Sequence, residues 1–292
     1  MELEERLSGL SEKGLGVAAI SYDSQEVLAE FSVRNNITFP LLSDENSNVI
    51  ESFGILNTVA VDAEGPNSDD PDIVADVAKY VSAFGSNAMF IGTPYPGTFV
   101  LDGSGSVTAR FFEEFYRERA TTANIMLSIG DGLSPIAAIE GSTAHLDLTA
   151  YPSDPVVTLG SRFSVVLDVN PKEDIHVYAP GAESKGYLIA SLILEPSEHL
   201  RFEQISFPSS EIYYFEPLDE RVEVYQEPFR LLQEVVVDST VAAETALGAL
   251  KVLTLSGTFN YQACNDELCF DPVSVPLSFT LEIADLDRQR VG

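Results

Sequence analysis

Lys251-Val252-Leu253-Thr254-Leu255-Ser256-Gly257-Thr258-Phe259 alternates apolar and polar residues, and so does Val273-Ser274-Val275-Pro276-Leu277-Ser278-Phe279-Thr280-Leu281. Between them lies Tyr261-Gln262-Ala263-Cys264-Asn265-Asp266-Glu267-Leu268-Cys269, which holds both cysteines of the chain. Period-two alternation predicts two strands, and the four residues between the cysteines are a hairpin-sized connection. Cysteines facing each other at its mouth would bring their Cβ atoms to roughly the 3.5–4.5 Å that a disulfide needs. The same geometry serves a plain structural staple or a dithiol that opens and closes. A ring this small restricts the unfolded chain only modestly, which leans the reading toward redox use.

The alternation extends back to Ala144. Leu146, Leu148 and Ala150 share one face of a strand, as do Phe163, Val165, Leu167 and Val169. Further strand-like runs at 188–194, 222–225 and 231–237 bring the total to about seven or eight, spaced by turn residues, which predicts an antiparallel sandwich.

The first part of the chain reads differently. Leu3, Leu7 and Leu10 recur at helical spacing among charged residues, up to Gly14. Short apolar runs at 15–21 and 39–42 alternate with helical patterns at 24–35 and 47–53, as in a mostly parallel sheet flanked by helices. Residues 57–90 read as an insertion, acidic and turn-rich at 62–72 and helical at 73–84. A strand (98–102), a glycine turn (103–105) and a second strand (107–112) follow, then a helix over 117–129 and a linker over 130–141. The helix at the start has no N-cap residue and no strand before it, so the chain reads as beginning inside a longer element.

With 292 residues, 46 of them acidic and 16 basic, the formal net charge is −30. Such a surface repels phosphate backbones and anionic lipid, which excludes nucleic-acid binding. A solubilising role explains the charge most simply; docking to a basic partner is the alternative. No apolar run approaches the ~20 residues of a membrane helix, so no membrane insertion is expected, and nothing at the N-terminus reads as a signal peptide.

Tyr261-Gln262-Ala263-Cys264 followed by Cys269 and Pro272, near the end of a β-domain, resembles the N-terminal periplasmic domain of the thiol:disulfide interchange protein DsbD. His176-Val177-Tyr178-Ala179-Pro180-Gly181 resembles an early segment of the same domains. The likeness covers about 142–287. It implies an immunoglobulin-like fold, a periplasmic or other extracytoplasmic location, and electron exchange between Cys264–Cys269 and a redox partner protein, either thioredoxin-like or a membrane electron donor.

Residues 1–120 resemble redoxins, the peroxiredoxin and thioredoxin-like proteins, through Gly16–Ser24, Phe39-Pro40-Leu41-Leu42-Ser43-Asp44, Phe53-Gly54-Ile55 and Gly92–Asp102. In the last segment, Pro96-Gly97-Thr98-Phe99 resembles the cis-proline segment of thioredoxin folds. Pro96 is thus the expected cis residue and a redox-site neighbour. The redoxin cysteine belongs at the start of a helix, where the helix dipole lowers a thiol pKa. The helix in that position here carries none. The expectation is an N-terminally incomplete domain, with a non-catalytic scaffold as the alternative.

Other constellations are weak. His145, His176 and His199 lack metal-ligand spacing, and 67–72, though oxygen-rich, lacks the glycine and terminal glutamate of a calcium loop. Neither metal nor cofactor is called for. Arg110, Arg117 and Arg119 read as surface residues paired with Glu113, Glu114 and Glu118 rather than as redox-site cations. Near the cysteines, a Tyr261 hydroxyl would be placed to donate to a thiolate, while Asp266 and Glu267 read as solvated.

The sequence therefore predicts an α/β thioredoxin-like domain (1–129), a linker (130–141) and an all-β immunoglobulin-like sandwich (142–287). Thiol–disulfide exchange through Cys264 and Cys269 is the favoured activity. In a full-length form the redoxin domain would act as an antioxidant enzyme. A non-catalytic binding module with a structural disulfide is the alternative.

Overall fold

The computed structural model describes residues 2–57, 59–63, 65–84, 94–112, 118–130, 135–216 and 219–285. The chain forms two compact units: Met1–Ile125 with Ser239–Glu244 and Leu286–Gly292, and Met126–Asp238 with Thr245–Asp285.

In the first unit, helices α1 (Glu2–Glu5) and α2 (Leu7–Glu12) precede β1 (Ala19–Ser21), α3 (Gln25–Asn35), β2 (Leu41–Ser43), α4 (Asn48–Ser52), α5 (Val59–Ala63) and α6 (Pro71–Phe84). Strands β3 (Gly97–Leu101), β4 (Val107–Phe112) and β5 (Arg119–Ala120) follow, then helix α7 (Thr122–Ser128), whose residues from Met126 on belong to the second unit. β1 and β2 pair in parallel, as a βα alternation requires. Local signals set the helix ends. The Ser24 side chain accepts from the Val27 amide to start α3, and Asn36 closes it in the left-handed region. Asp44 accepts from the amides of Val49 and Ile50, both at 2.9 Å, and starts α4. Asp70, from the oxygen-rich stretch, accepts from Asp72 and caps α6 ahead of Pro71. β3 and β4 form an antiparallel hairpin, whose turn is built on Asp102 and on Gly105 at φ 85°. The first helix is tied in by Glu4, whose carboxylate accepts from the Thr38 amide and hydroxyl at 2.9 and 2.7 Å.

The second unit is almost entirely β. Its strands are β6 (Ile139–Ser142), β7 (Leu146–Pro152), β8 (Val156–Val157), β9 (Ser161–Pro171), β10 (His176–Tyr178), β11 (Ser191–Leu194), β12 (Leu200–Ser206), β13 (Glu211–Phe215) and β14 (Glu220–Tyr225). β15 (Phe229–Val237), β16 (Val252–Tyr261), β17 (Ala263–Cys264) and β18 (Val273–Ile283) complete them, with helix α8 (Val241–Gly248) after β15, its residues up to Glu244 counted with the first unit. They form three sheets, with strand orders β12-β15-β9-β7-β6, β11-β16-β18-β8 and β13-β14-β10-β17. The core is dense around β9, where Phe163, Val165, Val166 and Leu167 are wholly buried. Each such side chain contributes about 1.5–3 kcal/mol on removal from water. In β16, a Cβ on Gly257 would lie 2.8 Å from the Ile193 carbonyl, so glycine lets β11 close against β16.

Several expectations change. Pro96 is not cis: no described residue follows a cis bond. Pro94 bridges to Leu56, the Tyr95 amide donates to the Ile55 carbonyl at 2.6 Å, and β3 begins at Gly97, directly after Pro96. The helix expected over 117–129 is shorter, with Arg119–Ala120 extended before α7. Part of the expected linker is strand, because Ile139–Ser142 pairs with Asp147–Ala150. The second unit holds more strands than periodicity separates: the run at 222–225 is a strand as expected, but its hairpin partner 211–215 has little apolar contrast. Residues 85–93, 113–117 and 131–134, and with them Arg117, Glu113 and Glu114, lie outside the described residues.

Candidate dithiol site

β16 and β18 pair from Val252–Glu282 to Tyr261–Val273. Beyond Tyr261 the chain leaves this sheet. Ala263 and Cys264 pair instead with Val177 and His176 of β10, so the first cysteine sits where the chain passes from one sheet to another. Cys264 and Cys269 then face each other across an antiparallel bridge. The turn between them is closed by the Asn265 amide donating to the Leu268 carbonyl at 3.0 Å. The Asn265 side chain accepts from the amides of Glu267 and Leu268 at 3.0 and 2.8 Å, and the Phe270 amide donates to the Ala263 carbonyl at 2.9 Å. This local network sets the two thiols opposite each other, as the spacing predicts.

Both cysteines are free thiols, Cys264 buried and Cys269 half-buried. The Tyr178 hydroxyl of β10 lies 2.7 Å from Cys264 Sγ and 3.3 Å from Cys269 Sγ, touching both sulfurs. Burial pushes the Cys264 thiol up to about 12, helped by a hydrogen bond with Cys269 that favours the protonated form, while the Tyr178 hydroxyl acts the other way. Burial, then the two sulfur contacts, holds the Tyr178 phenol above its ordinary value, so it remains a neutral donor. Tyr187 stacks on Tyr178 with ring centroids 4.1 Å apart and donates to Glu220 at 2.7 Å. Tyr187, Ile189, Tyr213 and Cys269 pack around a buried cluster that includes Tyr178, Val222, Val224 and Cys264.

His176 is buried, with its ring 4.2 Å from that of Tyr213. Burial lowers its pKa, opposed by the Asp266 carboxylate. Asp266 is exposed but engaged, since the Tyr213 hydroxyl donates to it at 2.6 Å.

Tyr261 does not serve the thiols. Its hydroxyl lies 2.7 Å from Thr143 Oγ1 and 3.3 Å from His145 Nδ1. It belongs to β16, before the change of sheet, and that change separates it from the cysteines. Its partner His145 stacks on Phe270 at 4.4 Å, so Tyr261 supports the far side of the loop. Burial lowers the His145 pKa, and the Lys172 charge adds to this. Pro96 belongs to the first unit and the two cysteines to the second. Of the arginines, Arg110 sits over the Phe112 ring and Arg119 donates to the Glu118 carbonyl. Sequence reasoning assigned no role to Tyr178, Tyr187, Tyr213, Gln262 or Asn265. The His176–Gly181 segment pointed to Tyr178, and the cysteine motif itself contains Gln262 and Asn265. Among the described residues no cluster of metal-ligating side chains occurs.

Two known families match separate parts of the chain. Residues 1–110 match the AhpC/TSA family, and residues 150–278 match the N-terminal domain of the thiol:disulfide interchange protein DsbD. The chain is thus a redoxin domain followed by a β-rich domain of the DsbD N-terminal kind. Together the two matches point to thiol–disulfide redox chemistry in general.

Similar solved structures include the reduced N-terminal domain of Neisseria meningitidis DsbD, at 16% identity and TM-score 0.28, covering 41% of this chain and 78% of that one. Another is the N-terminal periplasmic domain of ScsB from Proteus mirabilis, at 12% identity and TM-score 0.31, covering 50% of each chain. No curated protein matches the chain.

Proposed function

We propose that this protein is a thiol–disulfide oxidoreductase whose working pair is Cys264 and Cys269. The observation that carries the reading is the Tyr178 hydroxyl within hydrogen-bond reach of both sulfurs, in a pocket of aromatic side chains. A structural staple has no use for a donor aimed at its sulfurs. A dithiol that must form and lose a thiolate does.

Exposure assigns the roles. Half-buried Cys269 is the attacking sulfur, and buried Cys264, with its high pKa, resolves. The Cys269 thiolate attacks one sulfur of a partner disulfide. A mixed disulfide forms and the partner's other sulfur leaves as thiolate. Cys264 gives its proton to that departing thiolate and attacks Cys269, which closes the internal disulfide and releases the second partner sulfur. Two electrons pass to the partner, and an upstream dithiol returns them. Tyr178, neutral throughout, donates to whichever sulfur carries charge.

The redoxin domain has no cysteine of its own, since both lie in the second unit. Its part in this reading is to present or receive a partner. The partner is a thioredoxin-like protein or a membrane electron donor, and the setting is extracytoplasmic, where disulfides persist. The β-rich unit, on this reading, is an immunoglobulin-like sandwich, supported by its antiparallel pairing and the DsbD N-terminal match.

The reduction potential of the pair tests the proposal, measured by equilibration in glutathione buffers with trapping of free thiols. A value of roughly −120 to −270 mV is expected for an exchange protein. A value below about −300 mV means a structural bond, and the chain is then a binding module.

A further inference from the structure

Tyr187, Leu188 and Ile189 run outside any regular element, between the short helical turn at Ala182–Lys185 and β11. Two of the three pack at the thiols: Tyr187 stacks on Tyr178, and both Tyr187 and Ile189 pack against the cluster that contains Cys264. The Leu188 amide donates to Gln262 Oε1 at 3.1 Å. The other end of the same side chain, Gln262 Nε2, donates to the Phe270 carbonyl at 3.1 Å.

Gln262 lies two residues before Cys264, and Phe270 directly follows Cys269. One amide side chain therefore spans the neck of the cysteine loop and also holds the segment that covers it. Neither bond is made by main chain alone, so neither survives loss of the side chain. The segment carries no strand pairing of its own over 187–189; its other ties are the Tyr187 hydroxyl on Glu220 and the Ala190 amide, which donates to the Tyr178 carbonyl at 2.9 Å, before Ser191 pairs with Asn260.

We propose that Gln262 is a positioning residue that pins the Tyr187–Ile189 segment over the dithiol and so sets the access of a reagent or partner to Cys269. The inference rests on the exchange reading for its meaning, but its geometry stands apart from it. Losing the side chain leaves the Leu188 amide and the Phe270 carbonyl without their partner, and the segment opens more often.

The test compares reduced wild-type protein with Gln262→Ala by two measurements. One is the hydrogen-exchange rate of the Leu188 amide. The other is the rate of alkylation of Cys269 by iodoacetamide, with the modified cysteine identified by peptide mass mapping. Both rates are expected to rise roughly tenfold. Faster exchange at Leu188 with unchanged alkylation overturns the proposal, because the bond is then only structural. No change in either overturns it as well.

Gln262→Glu guards against a folding failure in the alanine variant. It keeps an acceptor for Leu188 and, when ionised, loses the donor for Phe270. With the Leu188 bond kept, its Leu188 exchange and its Cys269 alkylation at pH 7 are expected to stay within about twofold of wild type. A roughly tenfold rise in Cys269 alkylation in this variant overturns the proposal. Should wild-type protein fail to reduce any disulfide probe, the exchange reading fails while both Gln262 measurements remain decisive.

Discussion

The two units treat thiol chemistry in opposite ways. The first has the scaffold of a redoxin, with parallel β1–β2, capped helices and the β3–β4 hairpin, but no cysteine. A redoxin obtains its reactive thiolate from a helix N-terminus. The second unit has no helix at its cysteines. It uses a change of sheet instead: Cys264 is drawn onto β10 and buried, while Cys269 stays at the rim of the turn. A helix dipole stabilises thiolate. Burial among tyrosines stabilises thiol, and a hydroxyl must compensate. The first arrangement suits attack on a small oxidant, the second a pair whose buried member, Cys264, is held as the thiol.

The largest effect that would break this contrast is in the cysteines themselves. Cys264→Ser should leave Cys269 able to attack but unable to resolve, so a mixed disulfide with a probe disulfide accumulates and turnover falls at least about 100-fold. Cys269→Ser should give no such adduct. Adduct formation by Cys269→Ser, seen by mass spectrometry, would reverse the assignment of roles.

A smaller effect separates two tyrosines. Tyr178→Phe removes the hydroxyl shared by both sulfurs and should slow exchange at pH 7 by about 5- to 30-fold, the worth of about 1–2 kcal/mol in a hydrogen bond to a charged group. Tyr261→Phe touches only Thr143 and His145 and should change the exchange rate less than about twofold while lowering stability by about 1 kcal/mol. Equal rate losses in the two variants, by stopped-flow, would refute the site as drawn.

The smallest effect concerns acid. All three histidines lie in the second unit, and burial lowers the pKa of His145 and His176 from the ordinary value of 6.5. The unfolded chain then binds protons that the folded unit refuses. Stability is full above pH 6.5 and declines as pH falls below it. In the first unit, hydrogen bonds lower the pKa of Glu4 and Asp102 from ordinary values of 4.5 and 3.8, so its loss begins only at lower pH. Urea midpoints recorded between pH 7 and 5.5 should therefore fall for the second unit and hold for the first, and His176→Gln should flatten the slope. A parallel decline of both units would remove the contrast.

Much of this was legible in the chain. The alternation of 251–259 and 273–281 placed the cysteine loop between paired strands, because a period of two is local and a hairpin needs only neighbours. The βα pattern of 15–53 likewise appears as β1, α3, β2 and α4. Pro96 misled because a family likeness was carried over to a backbone conformation that the local path does not need. Tyr261 misled because closeness in sequence was taken for closeness to the sulfurs, and the chain changes sheet between them.

By itself, then, the sequence determined that two cysteines face each other across a tight turn in a β-domain, beside an α/β domain without a thiol, on a strongly acidic surface. These follow from residue identity and from interactions a few residues long. Only the tertiary structure decided which hydroxyl meets the sulfurs, which cysteine is buried and what covers them. Tyr178 stands 86 residues from Cys264, and Leu188 74 residues from Gln262. Contacts at that range arise from the pairing of distant strands, and burial, which sets the Cys264 pKa, is a property of the whole packed unit rather than of any segment.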